Sequence, residues 1–437
     1  MRGRLILLAA LAVATTSCGI TPRPAPTPAA PSPPEIVTID RVIHHLSAVP
    51  AINDQLAELA VREKVPATIV NSASGRAPDG RVVLFVHGGF SPSEVAFDLP
   101  YRDYSWMTFL ARAGFDVFAM DMTGYGGSTR PNMDDPCNVD PRHQKALIPK
   151  TLKAACKASY PHQLVTSDSE AADIDAVVEF IRKLRGVGRV SLVGWSGGGI
   201  RVGTYAVRHP YKIDKLVILA SSNYSRTGPS APPGALPAPG FPIVFQPRAV
   251  AEDERWTPNV KCPDQVDPAI RDVVWKEAMA SDPVGAGWGP GGLRAPTRTY
   301  WGWNADNATK IRLPTLIMVG EDDRLMTSNG ELYDDLGTTG KVLLTMQCAS
   351  HFSVWEMQHR ILQKASLEWL RSGTVNGVRI GRLRADARGA IAAAPAKPKP
   401  GAEAKPEPAP KPAPEAKPEA EPEPKPEPKP EPTPKSE

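Results

Sequence analysis

A glycine-rich turn enclosed between a strand and a helix limits the possible folds of this chain more than any other feature. The segment Gly194-Trp-Ser-Gly-Gly198 directly follows an apolar stretch, Arg189 to Val193, and a helical pattern runs from about Gly199 to Arg208. A turn this sharp accepts only small residues beside its central serine. The pattern therefore predicts that Ser196 stands at the carboxyl end of a buried strand, in the position of a nucleophile.

Further apolar runs alternate with helical patterns along the middle of the chain. Runs rich in β-branched and apolar residues predict buried strands, and patterns with helical spacing lie between and after them. This alternation predicts an α/β fold with a mainly parallel sheet, right-handed crossovers and helices on both faces. The predicted strands are Arg81–Val86, Asp116–Met120, Lys215–Leu219, Pro314–Val319 and Val342–Thr345, and the predicted helices include Tyr104–Ala113, Ser167–Leu184 and Val354–Leu370.

The positions of the prolines predict where the folded domain begins and ends. Of the 48 prolines, 23 lie in two short stretches, residues 21–34 and 395–434, which cannot bury a core. We therefore expect a Pro-rich linker at 19–34, one folded domain at 35–383, and a disordered tail at 384–437 that acts as a spacer or contacts the cell envelope. Residues 222–310 are too long for a simple connection and are interpreted as an inserted cap.

The first eighteen residues have the pattern of a targeting segment. Arg2 and Arg4 precede an apolar stretch, Leu5 to Val13, that is too short to span a membrane. The residues leading to Cys18 resemble a bacterial lipobox, although Thr15 stands where leucine is usual. We expect an exported protein of the cell envelope with a lipid anchor at Cys18, and release into the periplasm or medium remains the alternative.

Four further cysteines, Cys137, Cys156, Cys262 and Cys348, permit two disulfides in an exported chain. Cys137 and Cys156 are the preferred pair, because both lie in one insertion rich in Pro, Asp and Lys. Cys262 and Cys348 are either paired or free thiols, and a bond at Cys348 would stiffen the loop that carries His351.

Two residue types that a serine nucleophile needs follow in the expected places. A serine hydroxyl requires a base within hydrogen-bond reach and a carboxylate that orients the base. The strand Pro314–Val319 leads to Gly320-Glu-Asp-Asp323, and a later strand leads to His351. We predict that His351 is the base and Asp323 the acid, with Asp322 as the alternative acid.

These motifs together resemble the α/β-hydrolase superfamily over most of residues 35–370. The resemblance rests on the segments Leu84–Gly89, Asp121–Ser128, Gly194–Gly198, Gly320–Asp323 and Ser350-His351. It implies an eight-stranded sheet, no cofactor, and an oxyanion hole formed by the backbone N–H of Gly197 and that of Gly89, or of Phe90 in its place. His87 and the segment Asp121–Ser128 are interpreted as scaffold.

The predicted activity is hydrolysis of a carboxylic ester with an apolar part, through an acyl-enzyme. A proline-iminopeptidase-like amide hydrolase shares the His-Gly-Gly motif but usually has tryptophan where this chain has Gly197. A cofactor-free haloperoxidase-like enzyme shares the triad, and an envelope-anchored binding protein is the non-enzymatic alternative. Ser196 excludes hydrolases that use an aspartate nucleophile.

Other classes of site find little support. The net charge of +4 is spread over both signs without a basic run, which argues against a nucleic-acid face. No Cys or acidic partner stands at ligand spacing from any of His44, His45, His143, His162 and His209, so no metal site is predicted. Five tryptophans in the proposed cap indicate a small cap core and an apolar wall over the site: Trp256, Trp275, Trp288, Trp301 and Trp303.

Overall fold

The fold is taken from a computed structural model, which describes residues 34–395. The expectations for the signal segment 1–18, for lipidation of Cys18, for all but the last residue of the linker and for the tail beyond residue 395 lie outside the described residues. None of the helices in the described part is long and apolar enough to cross a membrane.

A ten-stranded mixed sheet forms the centre of the domain, in the order β1-β2-β4-β3-β6-β7-β11-β12-β13-β14. The pairs from β4 through β3 to β13 are parallel, whereas β1, β2 and β14 join antiparallel. The strands are β1 (Ile36–Leu46), β2 (Leu56–Pro66), β3 (Val82–Val86), β4 (Asp116–Met120), β5 (Val165–Thr166), β6 (Val190–Trp195), β7 (Ile213–Leu219), β8 (Ile243–Pro247), β9 (Gly292–Pro296), β10 (Arg298–Thr299), β11 (Thr315–Gly320), β12 (Lys341–Met346), β13 (Ile380–Ala385) and β14 (Ile391–Ala393).

Every residue of the central strands β3, β4, β6 and β11 is buried, as their continuous apolar runs predicted. The expected eight strands are present, but the sheet continues for two more. The hairpin of β13 and β14 adds to the edge of β12. The prediction that the folded domain ends at residue 383 is therefore wrong, because the chain pairs through Ala393.

In the part of the chain that the structure describes, eleven α-helices connect or flank these strands. The acidic first turn and basic last turn of α5 agree with its dipole, and Thr166 and Ser169 form a capping box at its start. The last helix begins at His359 rather than at Val354, since the preceding residues form turns. The helices are α1 (Ala67–Val70), α2 (Ser93–Phe97), α3 (Trp106–Arg112), α4 (Pro141–Gln144), α5 (Ser167–Arg185), α6 (Gly197–Arg208), α7 (Ile270–Ser281), α8 (Pro283–Ala286), α9 (Ala305–Ala308), α10 (Met326–Asp335) and α11 (His359–Ser372).

The insertion at residues 222–310 does not form a cap by itself. A second hydrophobic cluster joins Val139, Leu147 and Leu164 from the insertion after β4 with Phe245 and Trp288 from the later one. Strand β5 also pairs with β10, and Val139 bridges to Ile243. We therefore define the composite cap as residues 131–164 and 222–310 together.

Two disulfides stabilise this region. The Cys137–Cys156 bond confirms the predicted pair and closes a loop within the composite cap. The bond left open by the sequence, Cys262–Cys348, also exists and joins residues 86 positions apart. It connects the composite cap to the loop between β12 and α11.

Candidate active site

Ser196 occupies the turn between β6 and α6 in a backbone conformation that is rare for a residue with a side chain. Its φ is 55° and its ψ is −116°, and such strain is typical of functional positions. The neighbouring glycines allow the turn: a Cβ at Gly198 would lie 2.0 Å from the carbonyl oxygen of Val86, and one at Gly194 would lie 2.4 Å from that of Gly198. The elbow therefore requires glycine at both positions.

Ser196, His351 and Asp323 form a continuous hydrogen-bonded chain. His351 Nε2 lies 2.8 Å from Ser196 Oγ, and His351 Nδ1 lies 2.9 Å from Asp323 Oδ2. The Asp323 side chain is fully buried and that of His351 is 11% exposed. This arrangement lets the imidazole take a proton from the serine while the carboxylate fixes its tautomer.

The carboxylate that contacts His351 belongs to Asp323, not to the alternative Asp322. Asp323 Oδ1 also accepts a hydrogen bond from the Leu325 N–H at 2.9 Å, which leaves Oδ2 for the histidine. A Cβ at Gly320 would lie 2.0 Å from the Ala349 carbonyl oxygen, so the acid loop and the histidine loop touch at that glycine. Partial burial and the neighbouring Glu321 raise the pKa of Asp322.

The segment after β3 brings backbone N–H groups to the serine. A Cβ at Gly88 would lie 2.9 Å from Ser196 Cβ, and one at Gly197 would lie 3.5 Å from the Gly89 nitrogen. Gly197 is the first residue of α6, so its N–H has no partner within the helix. Phe90 has a φ of 58°, a strained value at the rim of the same site. The structure thus brings the two predicted oxyanion donors together beside Ser196.

A buried arginine that the sequence reasoning missed holds this segment in place. Arg201 donates a hydrogen bond of 2.7 Å to the carbonyl oxygen of His87, and its charge is balanced by Glu170 at 2.8 Å. His87 is itself fully buried; burial and the nearby Arg201 lower its pKa well below the usual range. Its Nε2 lies 3.1 Å from the Met122 nitrogen, which agrees with a scaffold role.

Glu356, a second residue that the sequence reasoning missed, connects the histidine loop to the composite cap. Glu356 is buried and accepts hydrogen bonds from the Ser350 N–H at 2.8 Å and from Trp256 Nε1 at 3.0 Å. Its carboxylate also pairs with the Ser350 hydroxyl. Glu356 carries no recognisable motif, and its partner Trp256 comes from a distant insertion, so the link between the histidine loop and the composite cap could not be identified from the local sequence.

A cavity of about 240 Å³ opens over Ser196 and His351. Two of the five cap tryptophans, Trp256 and Trp275, line it; Trp288 packs in the core of the composite cap, and Trp303 packs against Gly203 of α6. The wall is partly aromatic and partly aliphatic. Its apolar residues are Phe90, Val95, Trp195, Ala251, Trp256, Val274, Trp275, Ala278, Leu293, Leu325, Phe352 and Trp355.

Three arginines also line the cavity, and none was singled out from the sequence. They are Arg255 and Arg298 from the composite cap and Arg324 from the loop after β11. Among residues 34–395, no group of three or more His, Cys, Asp or Glu side chains is placed to hold a metal ion.

Several solved structures resemble this chain in outline. A thermophilic esterase from Thermogutta terrifontis is 16% identical with a TM-score of 0.44, and the match covers 76% of this chain and 99% of that one. A bromoperoxidase from Bacillus anthracis is also 16% identical with a TM-score of 0.44, covering 76% and 100%.

A curated relative matches part of the chain. A 1-acylglycerol-3-phosphate O-acyltransferase from Arabidopsis thaliana is 25% identical over 156 residues, which are 36% of this chain and 29% of that protein. The match thus spans less than a third of the relative.

A family model described as the alpha/beta hydrolase fold matches residues 81–357, which is more than half of the chain. The matched range runs from the start of β3 to the histidine loop and contains Ser196, Asp323 and His351. The sheet order and the elbow after β6 agree with this match. The chain therefore belongs to the α/β-hydrolase family.

Proposed function

We propose that the protein is a serine hydrolase that cleaves carboxylic esters through an acyl-enzyme. One observation carries the proposal: Ser196 Oγ lies 2.8 Å from His351 Nε2, whose other nitrogen lies 2.9 Å from buried Asp323. A serine in this setting can lose its proton to the imidazole as it attacks a carbonyl carbon.

The reaction proceeds in two halves. The Ser196 oxygen forms a bond to the ester carbonyl carbon while His351 takes the hydroxyl proton, and the carbonyl oxygen becomes an oxyanion near the N–H groups of Gly197 and Gly89. His351 then donates its proton to the departing alkoxide. Water attacks the acyl-enzyme in the same way and releases the acid. Donors at the oxyanion are each worth about a hundred- to a thousand-fold in rate.

The cavity favours esters over long peptides as substrates. Its volume of about 240 Å³ suits a small molecule, and its aromatic wall suits an apolar acyl or alcohol group. Amide hydrolysis is the second candidate, favoured only by the His87-Gly88-Gly89 segment beside the serine.

A panel of substrates tests the proposal. p-Nitrophenyl esters of increasing acyl length and aminoacyl-p-nitroanilides should be assayed with wild-type protein and with Ser196→Ala. We expect turnover of the esters to exceed that of the anilides and to vanish in the variant, because the nucleophilic oxygen is gone. Ester cleavage that persists in Ser196→Ala, or exclusive cleavage of anilides, would overturn the proposal.

We also propose that the protein works outside the cytoplasm. The two disulfides support this placement, since such bonds persist in oxidising compartments. Cell fractionation with an antibody to the folded domain tests it, and recovery in the cytosolic fraction with alkylatable cysteines would contradict it.

A further inference from the structure

The charge lining the cavity is unusual for a site that would take only neutral esters. Arg255, Arg298 and Arg324 line it, and the sole acidic residue in the lining is Glu252. Glu252 is already paired with Arg248 outside the lining, at 2.7 Å. The nearby carboxylate of Asp323 is engaged by His351 and by a backbone N–H. The cavity therefore carries excess positive charge.

Of the three arginines, Arg298 is the best placed to bind a group of the substrate. It is 17% exposed, and its Nη1 is buried without a hydrogen-bond partner among residues 34–395. The nearest carboxylate oxygen, Glu170 Oε1, is 3.7 Å away and lies only 2.8 Å from Arg201. The single carboxylate of Glu170 thus lies near the guanidinium groups of both Arg201 and Arg298. A buried donor without a partner is costly, so a partner that arrives with the substrate would relieve the cost.

The position of Arg298 relative to the reacting atoms is also defined. A Cβ built on Gly197 would lie 3.1 Å from Arg298 Nη1 and 3.3 Å from Nη2. The guanidinium therefore lies beside the first residue of α6, next to Ser196. A group bound there would sit within a few bond lengths of the ester carbonyl.

Arg255 adds a second cation without a carboxylate partner. Its Nη1 donates to the Gln246 amide oxygen at 3.2 Å, and its guanidinium lies 5.8 Å from the centre of the Phe90 ring. In the described part of the chain, no carboxylate oxygen lies within 4.0 Å of the Arg255 guanidinium nitrogens. Burial, with a contribution from Arg324, lowers the pKa of Arg255. Arginine nonetheless stays protonated, so its charge is still present in the cavity.

We propose that the substrate of this site is an anionic ester whose carboxylate is bound by Arg298, with Arg255 contributing to the positive field. The planar guanidinium matches a carboxylate through paired hydrogen bonds. The aromatic wall then receives the apolar part of the same molecule. This inference rests on the proposed function and names the substrate class of that site.

Matched pairs of esters test the inference. In the acyl arm, mono-p-nitrophenyl adipate is compared with its methyl ester, which has the same chain without the charge. In the alcohol arm, 4-acetoxybenzoate is compared with methyl 4-acetoxybenzoate. We expect wild-type kcat/KM to favour the charged member in one arm by about tenfold or more, and the preferred arm identifies which side of the ester carries the carboxylate.

Variants of Arg298 test whether this residue causes the preference for the charged ester. Arg298→Met should lower kcat/KM for the charged ester by about 10- to 100-fold, mainly through KM, because a ground-state contact is lost. The matched neutral ester should change less than about threefold. Arg298→Lys should retain part of the preference. Arg388→Met is the matched control, since Arg388 is exposed in the turn between β13 and β14.

The outcomes separate this inference from the function on which it rests. Cleavage of either ester that persists in Ser196→Ala would refute the proposed function. Ser196-dependent cleavage with no charge preference in either arm would overturn only the present inference. An equal loss on charged and neutral esters in Arg298→Met would also overturn it, because that result assigns Arg298 to the oxyanion. Circular dichroism of Arg298→Met and of Arg298→Lys provides the folding check.

Discussion

The sheet and the composite cap differ in how they are held together. The strands of the sheet are continuous apolar runs, and β3, β4, β6 and β11 are buried along their whole length. The composite cap has short strands, turns and a small core, supplemented by the Cys137–Cys156 bond. Small cores often need such covalent support.

The candidate site lies where the two regions meet, and each contributes something different. The sheet positions Ser196 and Asp323 at the ends of β6 and β11. The composite cap positions the histidine loop indirectly, through Trp256 on Glu356 and through the Cys262–Cys348 bond. Substitutions on the sheet side should therefore remove a catalytic group. Substitutions on the cap side should leave all three catalytic groups present but shift the position of the histidine loop.

The largest effect is expected when the serine or the histidine of the triad is removed. Ser196→Ala and His351→Ala should each reduce kcat by up to about a million-fold, and the double variant should be no worse than either, because the residues act as a unit. Single-turnover assays on all three variants measure this. Additive losses would show that the serine and histidine do not cooperate.

The next largest effect distinguishes two adjacent acids. Asp323→Asn should lower kcat by about ten-thousand-fold, because the amide favours the wrong histidine tautomer. Asp322→Asn is the matched control and should change kcat by less than about threefold, since Asp322 has no bond to His351. The opposite ranking would assign the acid to Asp322.

On the cap side, Glu356→Gln should reduce kcat/KM by about tenfold. The carboxylate has two acceptor oxygens, one for the Ser350 N–H and one for Trp256 Nε1, whereas the amide has only one. A buried donor therefore loses its partner in the variant. Glu277→Gln on α7 is the control, because within residues 34–395 Glu277 forms a single ion pair, with Lys276 at 3.9 Å. Unchanged kinetics in Glu356→Gln would mean that the composite cap does not position the histidine.

The disulfides should differ in what their removal affects. Replacing either pair by serine should reduce the free energy of unfolding by about 2–4 kcal/mol. Only the Cys262–Cys348 pair should also lower kcat, by a few-fold, because it ends three residues from His351. Urea melts and steady-state assays on both double variants measure these effects. A kcat loss confined to the Cys137–Cys156 variant would contradict this division.

The smallest effect concerns the sheet side and is the pH dependence of stability that Asp173 causes. Burial raises the pKa of Asp173 from its ordinary value to about 7, despite a hydrogen bond from the Thr123 N–H. Stability from the protonated form is therefore fully present below about pH 4 and is lost as pH rises through 7. Asp173→Asn should gain about 2–3 kcal/mol relative to wild type between pH 5 and pH 8, since the wild type loses about 1.4 kcal/mol per pH unit up to pH 7. Thermal melts at both values measure it, and a pH-independent difference would contradict this shift.

Local patterns predicted the sheet and the elbow because their information is local. A buried strand is readable as an apolar run, and the Ser196 turn is readable from its glycines. The composite cap was mispredicted as a single insertion, because its core joins Val139 and Phe245 across about a hundred residues. Arg201, Arg298 and Glu356 were missed for the same reason, since each has at least one partner that is distant in sequence.

The most direct test of the account is covalent labelling of Ser196. Wild-type protein treated with a fluorophosphonate should gain one adduct, located on the peptide containing Ser196 by mass spectrometry, and His351→Ala should label far more slowly. Labelling at another residue, or equal labelling of Ser196→Ala, would contradict the claim that this serine is an activated nucleophile.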